Sequence, residues 1–205
     1  MPMDLRALVA PDHTAVVTSE VQHGVVGEMS ALPELAAAAA ATVVPNTARV
    51  CRAAREAQAA VVHCIYGRRP DGRGGNHNAR LFGALLKAPV QVEAGSKAAT
   101  LMPALGPEPS DFVLSRMHGL NPMAGTDLDA VLRNLGVSTI VVTGVSVNVA
   151  ITNLVMDAVN LGYQAVLVRD AVAGVPQDYA DSIIVNTLSL LATVTTTDAL
   201  VAAWS

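Results

Sequence analysis

The stretch Ser138–Gly174, STIVVTGVSVNVAITNLVMDAVNLGYQAVLVRDAVAG, decides the fold. It opens on an apolar, β-branched run, Ser138–Gly144, too continuous for a strand with one wet face and suited to one buried on both. A helical pattern follows from Val149 to Leu161 and stops at Gly162. A second buried-type run, Tyr163–Asp170, comes next. Strand, helix and strand joined this closely make a right-handed parallel βαβ unit.

Similar runs recur outward from this unit. Thr14–Thr18 (TAVVT), Ala59–Tyr66 (AAVVHCIY), Asp111–Ser115 (DFVLS) and Thr193–Thr197 (TVTTT) read as further strands. Between them lie helix signals. Pro45 suits a helix N1 position before NTARVCRAAREAQ; Thr126, followed by Asp127 and Asp129, resembles an N-cap with acids in the first turn, ending at Gly136; Pro176 opens a helix to about Leu191. The expectation is an α/β fold, a three-layer α/β/α sandwich with a mostly parallel six-stranded sheet. Hydrophobic residues form 52% of the chain and aromatics only 3%, so the core is built from Ala, Val, Leu and Ile. With 205 residues and no stretch that reads as a linker, residues 1–205 form a single domain. Gly67–Arg80, GRRPDGRGGNHNAR, has neither apolar period nor strand propensity. It reads either as a mobile loop at the C-terminal edge of the second strand, where open α/β sheets hold ligands, or as a merely solvated loop.

The formal charge of -4 and the lack of a Lys/Arg cluster exclude a nucleic-acid partner. Cys51 and Cys64 fit neither a disulfide framework nor a structural zinc site and point to a reducing compartment. The N-terminal MPMDLRALVAPDHTAVV carries charges where a signal peptide needs an apolar region, and the Ala-rich Ala36–Val44 is too short to span a bilayer. The expected location is cytoplasmic, with no membrane partner.

Three segments together resemble the isochorismatase-like hydrolase superfamily. TAVVTSEVQHGVVG is similar to its strand-one Asp-x-Gln motif, with Glu20 as the acid and Gln22 as the glutamine. SRMHGLNPMAGTDLDAVLRNLGVSTIVVTG resembles the segment carrying the family lysine, with Arg116 near that position. GVSVNVAITNLVMDAVNLGYQAVLVRDAVAG resembles the nucleophile turn, its helix and the next strand, with Ala150 at the cysteine position. The resemblance thus implies a variant in which every member of the Asp, Lys, Cys triad is changed. Alanine carries no nucleophile, so thioester chemistry is removed.

The same resemblance implies a chemistry that needs no cysteine. Isochorismatases hydrolyse a vinyl ether, their acid protonating the enol-ether carbon while water completes the reaction. Glu20 is the candidate acid or base: burial would raise its pKa, whereas a nearby Arg116 would lower it. Arginine cannot shuttle a proton but grips a carboxylate in two places, so Arg116 is the candidate substrate anchor. The resemblance also implies a non-proline cis peptide between Val145 and Ser146, and an oxyanion hole from the Ser146 and Ala150 amides; the alternative is a plain strand-to-helix turn. Gln22, His23, Tyr66, His118, Asn121, Ser146 and Asn148 are placed around the substrate. No metal or cofactor is expected, since His63, Asp71 and His77 form no recognisable ligand set. His63 reads as a core or edge histidine and His77 as a solvent-exposed loop residue.

The leading expectation is a cofactor-independent hydrolase of a small carboxylated metabolite. The rival is a catalytically silent family member that binds a metabolite or serves structurally. A nucleophile supplied by Ser146 or Cys64 is a third, weaker reading. The resemblance further implies a homo-oligomer, a dimer or tetramer.

Overall fold

In a computed structural model, which describes residues 4–205, the six expected strands all form: β1 (Thr14–Ser19), β2 (Ala60–Tyr66), β3 (Phe112–Arg116), β4 (Thr139–Val145), β5 (Gln164–Ala173) and β6 (Thr193–Thr195). Residues 1–3, which open the stretch read above for a leader, lie outside the described residues. The strands make one sheet in the order β3-β2-β1-β4-β5-β6. Every pairing is parallel, so the sheet is wholly rather than mostly so. Helices α1 (Leu5–Leu8), α2 (His23–Val26), α3 (Pro33–Ala38), α4 (Val44–Glu56), α5 (Arg80–Leu86), α6 (Leu128–Asn134), α7 (Thr152–Asn160), α8 (Gln177–Asn186) and α9 (Thr197–Trp204) occupy the connections.

The continuous apolar runs have their explanation in the two faces. Val17, Ile140, Val142 and Leu167 face a core shared with α6, α7 and α8. Their neighbours Val16, Val141, Val166 and Val168 face the opposite core, against α1, α4 and α9. Side chains alternate along a strand, so a strand covered on both sides must be apolar at every position. A third cluster, around Val21, Leu35, Val43 and Leu105, closes the end of the sheet beyond β1.

Three helix readings are corrected. Pro45 does not open its helix, because the chain is already helical from Pro33, through a widened π-type turn at Ala39–Val43, into α4. Pro45 has no N–H to give the preceding turn, and a π turn there accommodates the missing bond and the ring. The segment beyond Gly67 ends in α5, a helix that the glycine-rich preamble conceals. The N-cap position of α6 falls on Asp127 rather than Thr126, which stands one residue earlier with its hydroxyl accepting from Leu128 N at 3.1 Å. Among the described residues no helix is long and apolar enough to cross a membrane.

Candidate active site

The strand order reverses direction between β1 and β4, and the C-terminal ends of the central strands converge there, the position at which open parallel sheets bind ligands. Glu20 immediately follows β1, Tyr66 ends β2, Arg116 ends β3, and Val145 ends β4. Sheet register pairs Tyr66 with Arg116, and both Cys64 and Gly144 with Ser19. The site residues are therefore set side by side by hydrogen-bonding of the sheet rather than by loop flexibility.

Glu20 has a φ of 55°, in the left-handed region that a non-glycine residue enters only when its surroundings hold it. Its amide donates to the Cys64 carbonyl at 2.9 Å and its carbonyl accepts from Gln22 N at 2.9 Å. The carboxylate meets the Arg116 guanidinium directly. Burial pushes the Glu20 carboxyl above the ordinary carboxylate range, and Arg116, by charge and hydrogen bond, offsets part of that rise. The net direction is upward, which keeps a protonated form within reach.

Arg116 is heavily committed. Its Nη1 donates to the carbonyls of His118 at 3.0 Å and Gly119 at 2.9 Å, its Nη2 reaches Glu20, and its guanidinium lies 5.4 Å from the centre of the Tyr66 ring. Such a side chain is held in place by its own protein. Among the described residues its carboxylate partner is Glu20.

Across from this pair, the turn after β4 contains a cis peptide between Val145 and Ser146, as the resemblance implies. Ser146 precedes a π-type turn, Val147–Ile151, that leads into α7. The Ser146 carbonyl accepts from Val149 N and Ile151 N at 3.2 and 3.0 Å. Among the described residues, neither the Ser146 nor the Ala150 amide donates to a group outside that turn. Two amides at the opening of a helix, in residues that line a cavity, are equipped to receive an anionic oxygen.

Glu20, Tyr66, Arg116, Ser146 and Ala150 all line one cavity of about 160 Å³. Much of the remaining wall is apolar and comes from segments not assigned to the site by sequence: Leu32 and Leu35, and Leu81, Phe82, Leu85 and Leu86 of α5. The signal was present. Leu81 with Leu85, and Phe82 with Leu86, repeat at i, i+4, the spacing of one helix face. No residue of α5 is buried, so the helix covers the cavity without belonging to the core. Arg68, Asn76, His77 and Gln91 are the polar contributors from the same region. His77 is exposed, as expected, yet lies on the cavity rim.

Other residues assigned to the substrate are engaged elsewhere. Gln22 is fully buried, donating to the carbonyls of Tyr66 and Ala99 at 2.8 Å each and accepting from Tyr66 N at 2.8 Å. It is a bracket locking the Glu20 segment to the end of β2. Asn121 binds Asn153 and Asp157 and accepts from Met123 N at 2.7 Å. Asn148 donates to the Val175 carbonyl at 2.7 Å and lies against Gly174, which brings the α7 entry to the tail of β5. His23 opens α2, its amide bound to the Thr100 carbonyl at 3.0 Å, and His118 packs beside Gly125. None of these five lines the cavity.

Both thiols are buried, free and off the cavity wall, with burial pushing each up to about 12. A thiol of that kind is protonated and inert at neutral pH. His63 is a core histidine, its ring bonded to Thr18 at 2.9 Å and Asp111 at 3.3 Å, far from any role beside Asp71 or His77. Asp71 instead pairs with Arg69 on the surface. No group of three or more His, Cys, Asp or Glu side chains suited to a metal occurs among the described residues.

This fold has known counterparts. The isochorismatase domain model matches residues 14–199, and the chain belongs to the isochorismatase family. It is 32% identical over 75 residues to the uncharacterised isochorismatase family protein YwoC of Bacillus subtilis, an alignment covering 37% of this chain and 39% of that protein. The chain thus spans well under half the length of this relative. It is 25% identical over 183 residues to the ureidoacrylate amidohydrolase RutB of Pseudomonas savastanoi pv. phaseolicola, covering 83% of this chain and 74% of the relative. Among solved structures, a cysteine hydrolase from Pseudomonas syringae pv. phaseolicola is similar at a TM-score of 0.81 and 25% identity, covering 100% of this chain and 98% of that one.

Proposed function

We propose that the protein is an isochorismatase-family hydrolase that cleaves a small carboxylated metabolite by acid catalysis, without a covalent intermediate or a cofactor. One observation carries the reading: a buried carboxyl of raised pKa, Glu20, shares a cavity with the Ser146–Ala150 turn, and no thiol lines that cavity. Alanine at position 150 stands where the family's amidases place their cysteine, so an attacking group must be water. In this reading protonated Glu20 delivers its proton to the vinyl carbon of an enol ether. Water adds to the resulting oxocarbenium carbon, and collapse of the hemiketal releases a ketone and an alcohol while Glu20 recovers a proton. Arg116 holds the carboxyl in place, and the Ser146 and Ala150 amides bind a carboxylate or carbonyl oxygen of the substrate.

A second reading is a binding protein that turns nothing over. It is favoured by the direct Arg116 contact, which stabilises the ionised, non-donating form of Glu20. Assay of isochorismate, nicotinamide and a panel of small amides, with Glu20→Gln as control, separates the readings. Enol-ether turnover that disappears in Glu20→Gln supports acid catalysis. Amide turnover defeats it, because a nucleophile would then be required, and ligand-induced stabilisation without any turnover favours the binding protein. The proposal takes residues 1–205 as one domain and extends to a homo-oligomer, for which sedimentation velocity gives the direct test.

A further inference from the structure

The cavity contains a second guanidinium, and its circumstances differ from those of Arg116. Arg68 lies just beyond β2, and its backbone is pinned on both sides: its amide donates to the Val92 carbonyl at 2.9 Å and its carbonyl accepts from Ala94 N at 2.8 Å. Its side chain lines the cavity against the backbone of Gly72. A single hydrogen bond, from Nη1 to Gln91 Oε1, restrains it. Gln91 is in turn anchored, donating to the Leu85 and Ala88 carbonyls at 3.1 and 2.7 Å, so the guanidinium is tied to the end of α5. Among the described residues Arg68 pairs with no carboxylate, and its Nε and Nη2 have no partner. Its charge is felt in the site: Arg68 and Arg116 both oppose the burial that raises the Tyr66 phenol.

A half-buried cation with donors directed at no protein group, fixed in a cavity, is an anion anchor. Arg116 cannot serve equally, since Glu20 neutralises it and two carbonyls occupy its Nη1. Leu32, Leu35, Leu81, Phe82 and Leu85 give the wall an apolar stretch that accepts only apolar surface. A cavity of roughly 150 Å³ holds a benzene-sized group. From this we infer that Arg68 grips the carboxylate of the ligand, while α5 packs over an apolar body of about one ring's size, so that the pocket selects amphipathic monocarboxylates. The inference rests on the same cavity as the hydrolase reading and names which arginine anchors its substrate.

The test is a binding measurement, independent of turnover. Dissociation constants of benzoate and of nitrobenzene, its uncharged isostere, are measured by calorimetry or ligand-observed NMR on the wild type, Arg68→Met and Arg68→Lys. The expected result is a benzoate preference of about tenfold or more in the wild type, equivalent to about 1.4 kcal/mol. Arg68→Met removes the preference while still binding nitrobenzene, which also reports that the pocket is folded, and Arg68→Lys retains part of it. Equal binding of the two probes by the wild type, no binding of either, or a benzoate preference surviving in Arg68→Met overturns the inference. Should Arg68→Met not fold, a benzoate preference in Arg68→Lys that is weakened relative to the wild type supports the grip, and an undiminished one overturns it. Failure of the hydrolase reading looks different: no turnover, with the anion preference intact.

Discussion

Gly144 has a φ of 107°, and a Cβ at that position would overlap the Ser19 carbonyl oxygen, immediately before Glu20. The Gly144→Ala chain must part β1 from β4 or strain its backbone. The expected outcome is a loss of more than about 1 kcal/mol in denaturant unfolding, together with lower activity, because the displaced strand carries the acid. Glu20→Gln acts differently. It keeps the volume but removes the transferable proton and the charge opposite Arg116, so turnover should fall by about 100-fold or more and the melting temperature should fall as well. At this scale the sequence was legible in part. Glu20 and Arg116 were readable as a pair of interest and do touch. That Gln22, Asn121 and Asn148 brace the structure was not readable, because these partners lie between 27 and 77 residues away along the chain. Arg68 was hidden in a loop whose neighbours Arg69 and Arg73 have the same side chain.

Helix α5 and the strand β3 show two different ways in which an element serves the site. The α5 helix contributes Phe82 to the cavity wall but no buried residue to the core. Phe82→Ala should therefore raise KM for substrates with an apolar body, with kcat and the unfolding free energy nearly unchanged; steady-state kinetics alongside thermal melts make the comparison. The approach to β3 is held from within. Asp111, just before the strand, accepts from Arg55 Nε at 3.1 Å and Nη2 at 2.7 Å, from the Glu108 amide at 2.8 Å, and lies 3.3 Å from His63. Arg55→Met leaves this carboxylate buried without its cation and should cost about 3–5 kcal/mol, measured by urea titration. It would also loosen the strand whose last residue is Arg116.

For the whole molecule, that same cluster sets the acid response. Burial lowers the His63 pKa despite Asp111. Burial alone would raise Asp111, but the Arg55 and Glu108 hydrogen bonds outweigh it and hold the carboxyl below its ordinary value. In both cases the unfolded chain binds protons that the folded chain refuses. Stability is therefore full above the ordinary imidazole value of 6.5, begins to fall as pH drops below it, and falls further below the ordinary Asp value of 3.8. Glu20 has the opposite sign: its raised pKa favours the folded state at low pH and that contribution disappears as pH rises through its folded value. A series of melting curves from pH 8 to pH 3, with His63→Gln flattening the upper limb, checks the assignment.

The order of the six strands along the chain and the burial of the sheet on both faces were determined by the sequence itself. These follow from local periodicity and from the handedness of parallel crossovers, which neighbouring residues encode. The tertiary structure alone decided which polar groups are consumed in holding the frame and which remain open to a ligand. It also brought α5 over the cavity. Those outcomes depend on register between distant segments, and a hydrogen bond formed across the sheet leaves no periodic trace along the chain.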